Sequence, residues 1–260
     1  MFRMKNAKMK SLQLLAAFML LLASSAACAV SPLTVAVASS VTYAFNDLAL
    51  EFKNMTGIEV NGVFGSSGKL AAQIINGAPF DVFLAADMED PQALYQDGLA
   101  MTPPRVYAKG LLVLWTMSHL DLGKGIQVLN DPEVQKIALA SPHLAPYGRE
   151  AFNALKHFML LEAVKPKLVY GESISQVNQY IDSGSVDIGF TAKSVVLAPE
   201  IGGIGMWIEV PRESYQPIVH GAVILGHGFH TNFVASRRFL QFLTSPAARE
   251  ILEKYGYLLP

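Results

Sequence analysis

Small hydroxyl and glycine residues follow the strands that the sequence predicts, at points where a helix is about to begin. Ser39 and Ser40 come directly after the first β-rich run, LTVAVA, and the loop 65–68 (GSSG) follows the second. The segments 145–148 (APYG) and 171–174 (GESI) each precede a helical pattern. Together the four segments offer hydroxyl and backbone N–H donors and contain no cationic side chain. This chemistry suits an anion that accepts hydrogen bonds.

The positions of these four segments at the starts of helices also favour an anion-binding site. The first N–H groups of a helix have no intrahelical partner and carry the positive end of the helix dipole. In an open α/β sheet, ligands bind at the carboxyl ends of the strands, which is where these junctions lie. At any single junction, a capping serine or a turn glycine is the simpler structural explanation. In the loop 65–68, two hydroxyls between two glycines also permit very close backbone approach, which favours a binding role.

Three kinds of catalytic or metal site are alternatives to an anion-binding site. Lys69 suggests a nucleotide phosphate loop, but that motif needs a glycine where Val63 stands and a hydroxyl where Leu70 stands. An exported hydrolase using Ser66 or Ser67 is the alternative enzyme, although the sequence has no G-x-S-x-G elbow and places no histidine beside either serine. The six histidines form no H-E-x-x-H motif, so no cation site is predicted.

Composition limits the class of protein. A chain of 260 residues with 52% hydrophobic and 16% charged residues is too apolar to be disordered. Because domains usually contain about 100 to 200 residues, one large or two medium domains are expected. The formal net charge of −1 excludes the basic footprint of a nucleic-acid-binding protein.

The first thirty residues have the pattern of a secretory signal. Four cations and no acid precede residue 11, and an apolar run spans 12–23, shorter than the about 20 residues of a membrane span. The A-x-A pattern at 27–29 predicts a signal peptide over residues 1–29 and a periplasmic protein. Lipidation of Cys28 is the alternative, but the Leu usual three positions ahead is absent. Cleavage after Ala29 leaves no cysteine, which excludes thiol catalysis, disulfides and Cys-metal sites.

After this segment, β-rich runs alternate with helical patterns, which is typical of an α/β protein with parallel strands. Apolar residues at helical spacing predict a helix that begins at Val41, with Ser40 placed to cap it. Strands are predicted at 33–38, 58–64, 81–85, 111–116, 136–140, 167–170, 187–191 and 218–225. Further helices are predicted at 69–75, 148–161, 174–181, 231–243 and 246–254. No long flexible linker interrupts this order, so two lobes would be joined by strands.

Several of these segments together resemble one family. The runs TVAVASS at 34–40, FGSSGKLAAQIINGAPFDVFLAAD at 64–87, APYG at 145–148 and GESISQV at 171–177 are similar to those of the periplasmic molybdate-binding proteins of molybdate ABC transporters. The closing helix and the YGY tail at 255–257 match as well. The resemblance covers essentially the whole mature chain.

The resemblance implies an α/β, two-lobed periplasmic binding protein fold. Each lobe is expected to be a mostly parallel sheet flanked by helices, with residues 33–109 and 222–260 in the first lobe and 110–221 in the second. Molybdate or tungstate would lie in the cleft between the lobes. The protein would have no enzymatic activity and no cofactor, would be a monomer, and would deliver its ligand to a membrane permease. A sulfate-type or other oxyanion carrier is the alternative within the class.

The resemblance also implies which residues contact the oxyanion. They are the serines at the first two junctions and two backbone N–H groups: Ser39, Ser40, Ser67, Tyr147 and Ile174. Some members of the family add a tyrosine hydroxyl at the position of Ala192, so that contact is missing here. Molybdate is a fully deprotonated dianion that needs donors only, so the nearby Glu172 is expected to point away. Phosphate, which carries a proton, fits poorly, whereas sulfate differs chiefly in size.

Overall fold

Two five-stranded sheets form the framework of the protein, for which a computed structural model describes residues 31–260. Pro32–Pro260 forms one compact unit. The predicted signal segment 1–29, with Cys28, lies outside the described residues. Within residues 31–260, no helix combines the length and the apolarity needed to cross a bilayer.

The strands and helices alternate along most of the chain. The strands are β1 (Leu33–Ala38), β2 (Val60–Gly65), β3 (Val82–Leu84), β4 (Arg105–Gly110), β5 (Leu112–Thr116), β6 (Ile137–Ala140), β7 (Leu168–Gly171), β8 (Ile188–Ala192), β9 (Met206–Glu209) and β10 (Ile218–Ile224). The helices are α1 (Thr42–Thr56), α2 (Ser67–Ile75), α3 (Glu89–Gln96), α4 (Pro146–His157), α5 (Leu161–Val164), α6 (Ile174–Asp182), α7 (Lys193–Val196), α8 (Gly226–Thr231), α9 (Phe233–Phe242) and α10 (Pro246–Lys254).

Each sheet is mixed rather than mostly parallel as predicted. The first sheet has the order β2-β1-β3-β10-β4 and the second the order β7-β6-β8-β5-β9. In the first, β1 pairs in parallel with β2 and β3, while β10 runs antiparallel to β3 and β4. In the second, β6 pairs in parallel with β7 and β8, while β5 runs antiparallel to β8 and β9. The antiparallel half of each sheet is where the chain passes between the lobes.

The two sheets define two lobes, which we call the first and second lobe after their sheets. The chain passes from β4 to β5 through Leu111 and returns from β9 to β10 through residues 210–217. The return differs from the predicted boundary between Gly221 and Ala222, because β10 joins the first sheet at Ile218. The predicted boundary lies inside the continuous strand β10, which pairs with β3 and β4 of the first sheet. The sequence pattern of this strand shows no break that would mark the true boundary.

The core follows from the hydrophobic pattern of the predicted elements. Strand β1 is buried along almost its whole length, as expected for β-branched and small residues in the middle of a sheet. Helix α1 buries Ala44, Phe45, Leu48 and Phe52, which share one face at helical spacing. The predicted cap is wrong: Val41 holds the N-cap position, and Ser40 lies in a short 3₁₀ turn, Ser39–Val41, with its hydroxyl uncommitted.

A buried carboxylate ties the first sheet to the helix that follows it. Asp81 is 1% exposed and accepts the Thr34 N–H at 2.7 Å. Its other oxygen contacts His227 Nδ1 at 3.0 Å, and Asn232 also donates to it. The carboxylate therefore connects the start of β1 with α8.

We expect Asp81→Asn to destabilise the fold without touching the cleft. The amide keeps the shape but turns one acceptor oxygen into a donor, which leaves buried partners unpaired at a cost of about 1–3 kcal/mol. Urea denaturation should show a lower midpoint, whereas Asp97→Asn, at an exposed carboxylate in the same lobe, should change it little. Equal midpoints for the two variants would contradict this role for Asp81.

Candidate functional site

A small cavity lies between the lobes, where the carboxyl ends of strands in both sheets face one another. Its volume is about 10 Å³, near the roughly 10–15 Å³ that holds a single water molecule. Its lining consists of small and uncharged residues: Ala38, Ser39, Ser40, Gly65, Ser66, Ser67, Ala86, Ala145, Pro146, Tyr147 and Ile174. The structure thus brings together all five residues proposed for oxyanion contact.

Ser67 presents its hydroxyl proton to this cavity. It is the first residue of α2 and is 1% exposed. The Ala86 N–H donates to Ser67 Oγ at 2.9 Å, so this oxygen already accepts one hydrogen bond from within the protein. The hydroxyl proton is then free to donate to a ligand.

Ser39 and Ser40 differ in what their hydroxyls do. Ser39 Oγ donates to the Gly65 carbonyl at 3.1 Å, so its proton is engaged within the first lobe and its predicted hydroxyl contact is absent from this arrangement. Ser40 Oγ is buried and has no hydrogen-bond partner among residues 31–260. The Ser40 carbonyl accepts from Ser194 Oγ at 2.7 Å and Tyr257 Oη at 2.8 Å. These two bonds fix the Ser40 backbone and do not involve its hydroxyl.

The second lobe contributes the N-termini of two helices. Tyr147 is the second residue of α4, and Ile174 is the first residue of α6. Their backbone N–H groups have no intrahelical acceptor, because they lie in the first turn. A side chain on Gly148 would lie 2.0 Å from the Ala140 carbonyl, so only glycine lets α4 approach β6 this closely. Ala192, where the family's tyrosine would stand, is fully buried and does not line the cavity.

The Tyr147 phenol lies at the crossing between the lobes, near His220 and Gly110. Its Oη lies 3.4 Å from His220 Nε2, and a side chain on Gly110 would lie within 1.8 Å of that oxygen. Burial raises the pKa of the Tyr147 phenol well above its usual range. The nearby Ser40 hydroxyl opposes this rise, although the two groups do not form a hydrogen bond of good geometry. Tyr147 therefore spans from the ligand site to the crossing.

His220 is fully buried between three tyrosine rings, those of Tyr107, Tyr147 and Tyr257. Burial lowers the pKa of its imidazole from 6.5 to about 3. Tyr107 Oη donates to the Ala85 carbonyl at 3.4 Å and lies 3.2 Å from His220 Nδ1. Each ring nitrogen of His220 therefore has a tyrosine hydroxyl within hydrogen-bond distance.

Contacts between the lobes close the cavity on several sides. The Gly68 N–H donates to the Leu144 carbonyl at 3.0 Å. Lys69 Nζ lies 2.5 Å from Glu172 Oε1 across the cleft, and both side chains are about half exposed. Glu172 does point away from the cavity as predicted, but Lys69 is paired with it rather than merely solvated. A second exposed pair, between Arg149 and Glu89, joins the lobes at 3.0 Å.

The site lacks the partners that the hydrolase alternative requires. Ser66 Oγ has no hydrogen-bond partner in the described part of the chain, and the bond to Ser67 Oγ comes from a backbone N–H. Neither serine is therefore activated by a histidine. Among residues 31–260, no group of three or more His, Cys, Asp or Glu side chains is arranged to hold a metal ion.

A two-lobed α/β fold with a small cavity between its lobes defines a solute-binding protein of the periplasmic binding type. The sequence model described as bacterial extracellular solute-binding protein matches residues 33–258, and the chain belongs to that family.

Similarity to characterised relatives narrows the family further. The molybdate-binding protein ModA of Rhodobacter capsulatus is 37% identical over 224 residues, which cover 86% of each chain. ModA of Azotobacter vinelandii is 39% identical over 226 residues, which cover 86% of this chain and 88% of the relative. The solved periplasmic molybdate-binding protein of Azotobacter vinelandii matches with a TM-score of 0.82 at 32% identity, covering 88% of this chain and 99% of that one. The predicted resemblance and fold are confirmed.

We expect His220 to make the fold less stable as the pH falls below about 6.5. In the unfolded chain the imidazole binds a proton near its usual pKa of 6.5, whereas in the folded protein it stays neutral down to about 3. Because the unfolded state binds more protons in this window, the free energy of unfolding falls with decreasing pH, by at most about 1.4 kcal/mol per unit.

The variant His220→Gln isolates this contribution from the other histidines. Urea denaturation at pH 7, 6 and 5 should show that the stability difference between wild type and variant narrows as the pH falls. A difference that is constant over this range would contradict the buried neutral state of His220.

Proposed function

We propose that this protein is the solute-binding component of an ABC importer, that it binds molybdate or tungstate, and that it delivers the anion to a membrane permease. The observation that carries the proposal is the uncharged cavity between the lobes, which is lined by Ser40, whose hydroxyl has no partner among residues 31–260, and by Ser67, whose hydroxyl oxygen only accepts a hydrogen bond. The named function of the relatives supports the same ligand.

The chemistry of the cavity fits a small, fully deprotonated anion. The helices α2, α4 and α6 all begin at the lining of the cavity, so the positive ends of three helix dipoles lie next to it. A carboxylate in the lining would repel a dianion, and none of the lining residues is acidic. Glu172, two residues before the lining residue Ile174, is paired with Lys69 outside the cavity.

Binding and closure are coupled because the donors come from different lobes. Ser40 and Ser67 belong to the first lobe, whereas Tyr147 and Ile174 belong to the second. An anion engages both sets only when the lobes are closed, so its binding shifts the population toward the closed form. The closed form would then be the one that the permease recognises.

The remaining parts of the proposal rest on the sequence and on the family. The N-terminal pattern at 1–29 supports export to the periplasm, and the relatives include a periplasmic protein. We propose that the protein acts as a monomer, without a cofactor and without catalytic activity. The role of Cys28 as a lipid anchor is the less favoured alternative.

We expect molybdate and tungstate to raise the melting temperature while phosphate does not. At 100-fold excess over the dissociation constant, a ligand adds about 2.7 kcal/mol to the stability, which for a chain of this size corresponds to roughly 5 to 11 °C. Thermal unfolding of the purified protein with each anion measures this. An equal shift with sulfate would favour the sulfate-type carrier, and no shift with any tetrahedral oxyanion would refute the proposal.

We also expect Ser67→Ala to weaken molybdate binding more than Lys69→Ala. The serine variant loses a donor that faces a buried dianion, worth about 1.5–3 kcal/mol. The lysine variant loses a half-exposed ion pair with Glu172, and such pairs contribute about 0–1 kcal/mol. Calorimetric titration of both variants with molybdate measures the two losses of affinity. The variant Glu172→Gln, which removes the same ion pair from its other side, is the matched control for Lys69→Ala. If Lys69→Ala abolishes binding, a direct cation contact must replace the helix-terminus account.

A further inference from the structure

Ser66 is a buried serine whose side chain does not do what its position would predict. It holds the N-cap position of α2, with extended backbone angles (φ −70°, ψ 149°), yet its side chain accepts no hydrogen bond from the helix. A serine at this position normally satisfies one of the first N–H groups of the helix. Here the Gly68 N–H donates instead to the Leu144 carbonyl of the second lobe. The usual reason for a serine at this position is therefore absent.

The Ser66 hydroxyl is also left without any other partner. The residue is 3% exposed, and Ser66 Oγ has no hydrogen-bond partner within residues 31–260. A buried hydroxyl without a partner is destabilising, and native proteins keep few of them. Ser66 lines the same cavity as Ser40, whose hydroxyl is likewise unpartnered. Two uncommitted hydroxyls at one small cavity point to an occupant that satisfies both.

We propose that the Ser66 hydroxyl is a further ligand contact, which donates a hydrogen bond to the bound oxyanion beside Ser67. The loop 65–68 then supplies two adjacent side-chain donors from the first lobe. This inference rests on the proposed function, since it deepens the recognition at the same cavity. The resemblance implies only Ser67 from this loop.

The stability of the ligand-free protein and the affinity for the ligand together distinguish a structural role of Ser66 from a role in binding. If Ser66 served the fold, its replacement by alanine would destabilise the ligand-free protein. If it serves the ligand, Ser66→Ala removes an unsatisfied buried hydroxyl, so the ligand-free protein keeps or gains stability while the affinity falls. Ser67 cannot make this distinction, because Ala86 N–H needs Ser67 Oγ as its acceptor.

The chain offers a matched control in Ser236. This serine of α9 is fully buried, and its hydroxyl also lacks a partner in the part of the chain that the structure describes. It does not line the cavity. Ser236→Ala therefore removes the same group from the same kind of environment without touching the site.

The experiment compares wild type, Ser66→Ala and Ser236→Ala. Sodium molybdate, sodium tungstate and sodium sulfate are titrated calorimetrically into each protein, and the melting temperature of each ligand-free protein is measured. We expect Ser66→Ala to bind molybdate and tungstate on the order of 10- to 100-fold more weakly, with a ligand-free melting temperature no lower than that of wild type. Ser236→Ala should keep the wild-type affinity.

The possible outcomes separate this inference from the proposed function. Unchanged affinity in Ser66→Ala, or an equal loss in both variants, overturns the role of Ser66 even if the wild type binds molybdate. If the wild type binds sulfate alone and Ser66→Ala weakens that binding, the molybdate assignment fails and the role of Ser66 stands. If the wild type binds no tetrahedral oxyanion, both proposals are overturned.

Discussion

The need to satisfy buried hydrogen-bond donors governs this structure. The first turns of α2, α4 and α6 lie at one cavity. The hydroxyls of Ser40 and Ser66, which also line this cavity, are buried without partners in the described part of the chain. Donors of this kind are costly in a dry interior unless something accepts from them. An anion held by dipoles and hydroxyls removes that cost without any cationic side chain. The small, uncharged lining and the two-lobed fold both serve this arrangement.

The crossing between the lobes is built to hold the donors in place. Burial keeps His220 neutral, and its Nε2 lies 3.4 Å from the Tyr147 hydroxyl, while Tyr147 also lines the cavity. Gly110 leaves the space that the phenol fills. The position of the α4 N-terminus is therefore set at the crossing. The exposed pairs, such as that between Lys69 and Glu172, lie at the rim and contribute less.

Much of the fold was predictable because the strands and helices carry strong patterns. Strand β1 and helix α10 have the predicted bounds, since one is a run of buried β-branched and small residues and the other begins with a serine cap and a proline. Strand β4 (Arg105–Gly110) was not predicted, because arginine and lysine interrupt its apolar pattern. Helix α3 was not predicted either, since its sequence EDPQALYQ contains a proline and has only two buried residues.

The cavity residues were predicted from the resemblance, but their individual roles were not. The bond from Ser39 Oγ to the Gly65 carbonyl and the pairing of Lys69 with Glu172 join segments distant in sequence, and no local pattern reports them. The same is true of Ser66, because its free hydroxyl depends on the Leu144 carbonyl taking the Gly68 N–H. A glycine-flanked pair of serines indicates a binding loop, but only tertiary contacts show which hydroxyls remain free.

The bond between Tyr257 and the Ser40 carbonyl has a consequence for the order in which the protein is made. The two residues are 217 positions apart, so the backbone at Ser40 acquires this support only late in synthesis. Ser194, the other donor to that carbonyl, also follows Ser40 by 154 positions. A partly synthesised or partly exported chain therefore lacks a finished cavity. The proposed binding of an anion at this cavity therefore requires that most of the polypeptide has emerged and folded.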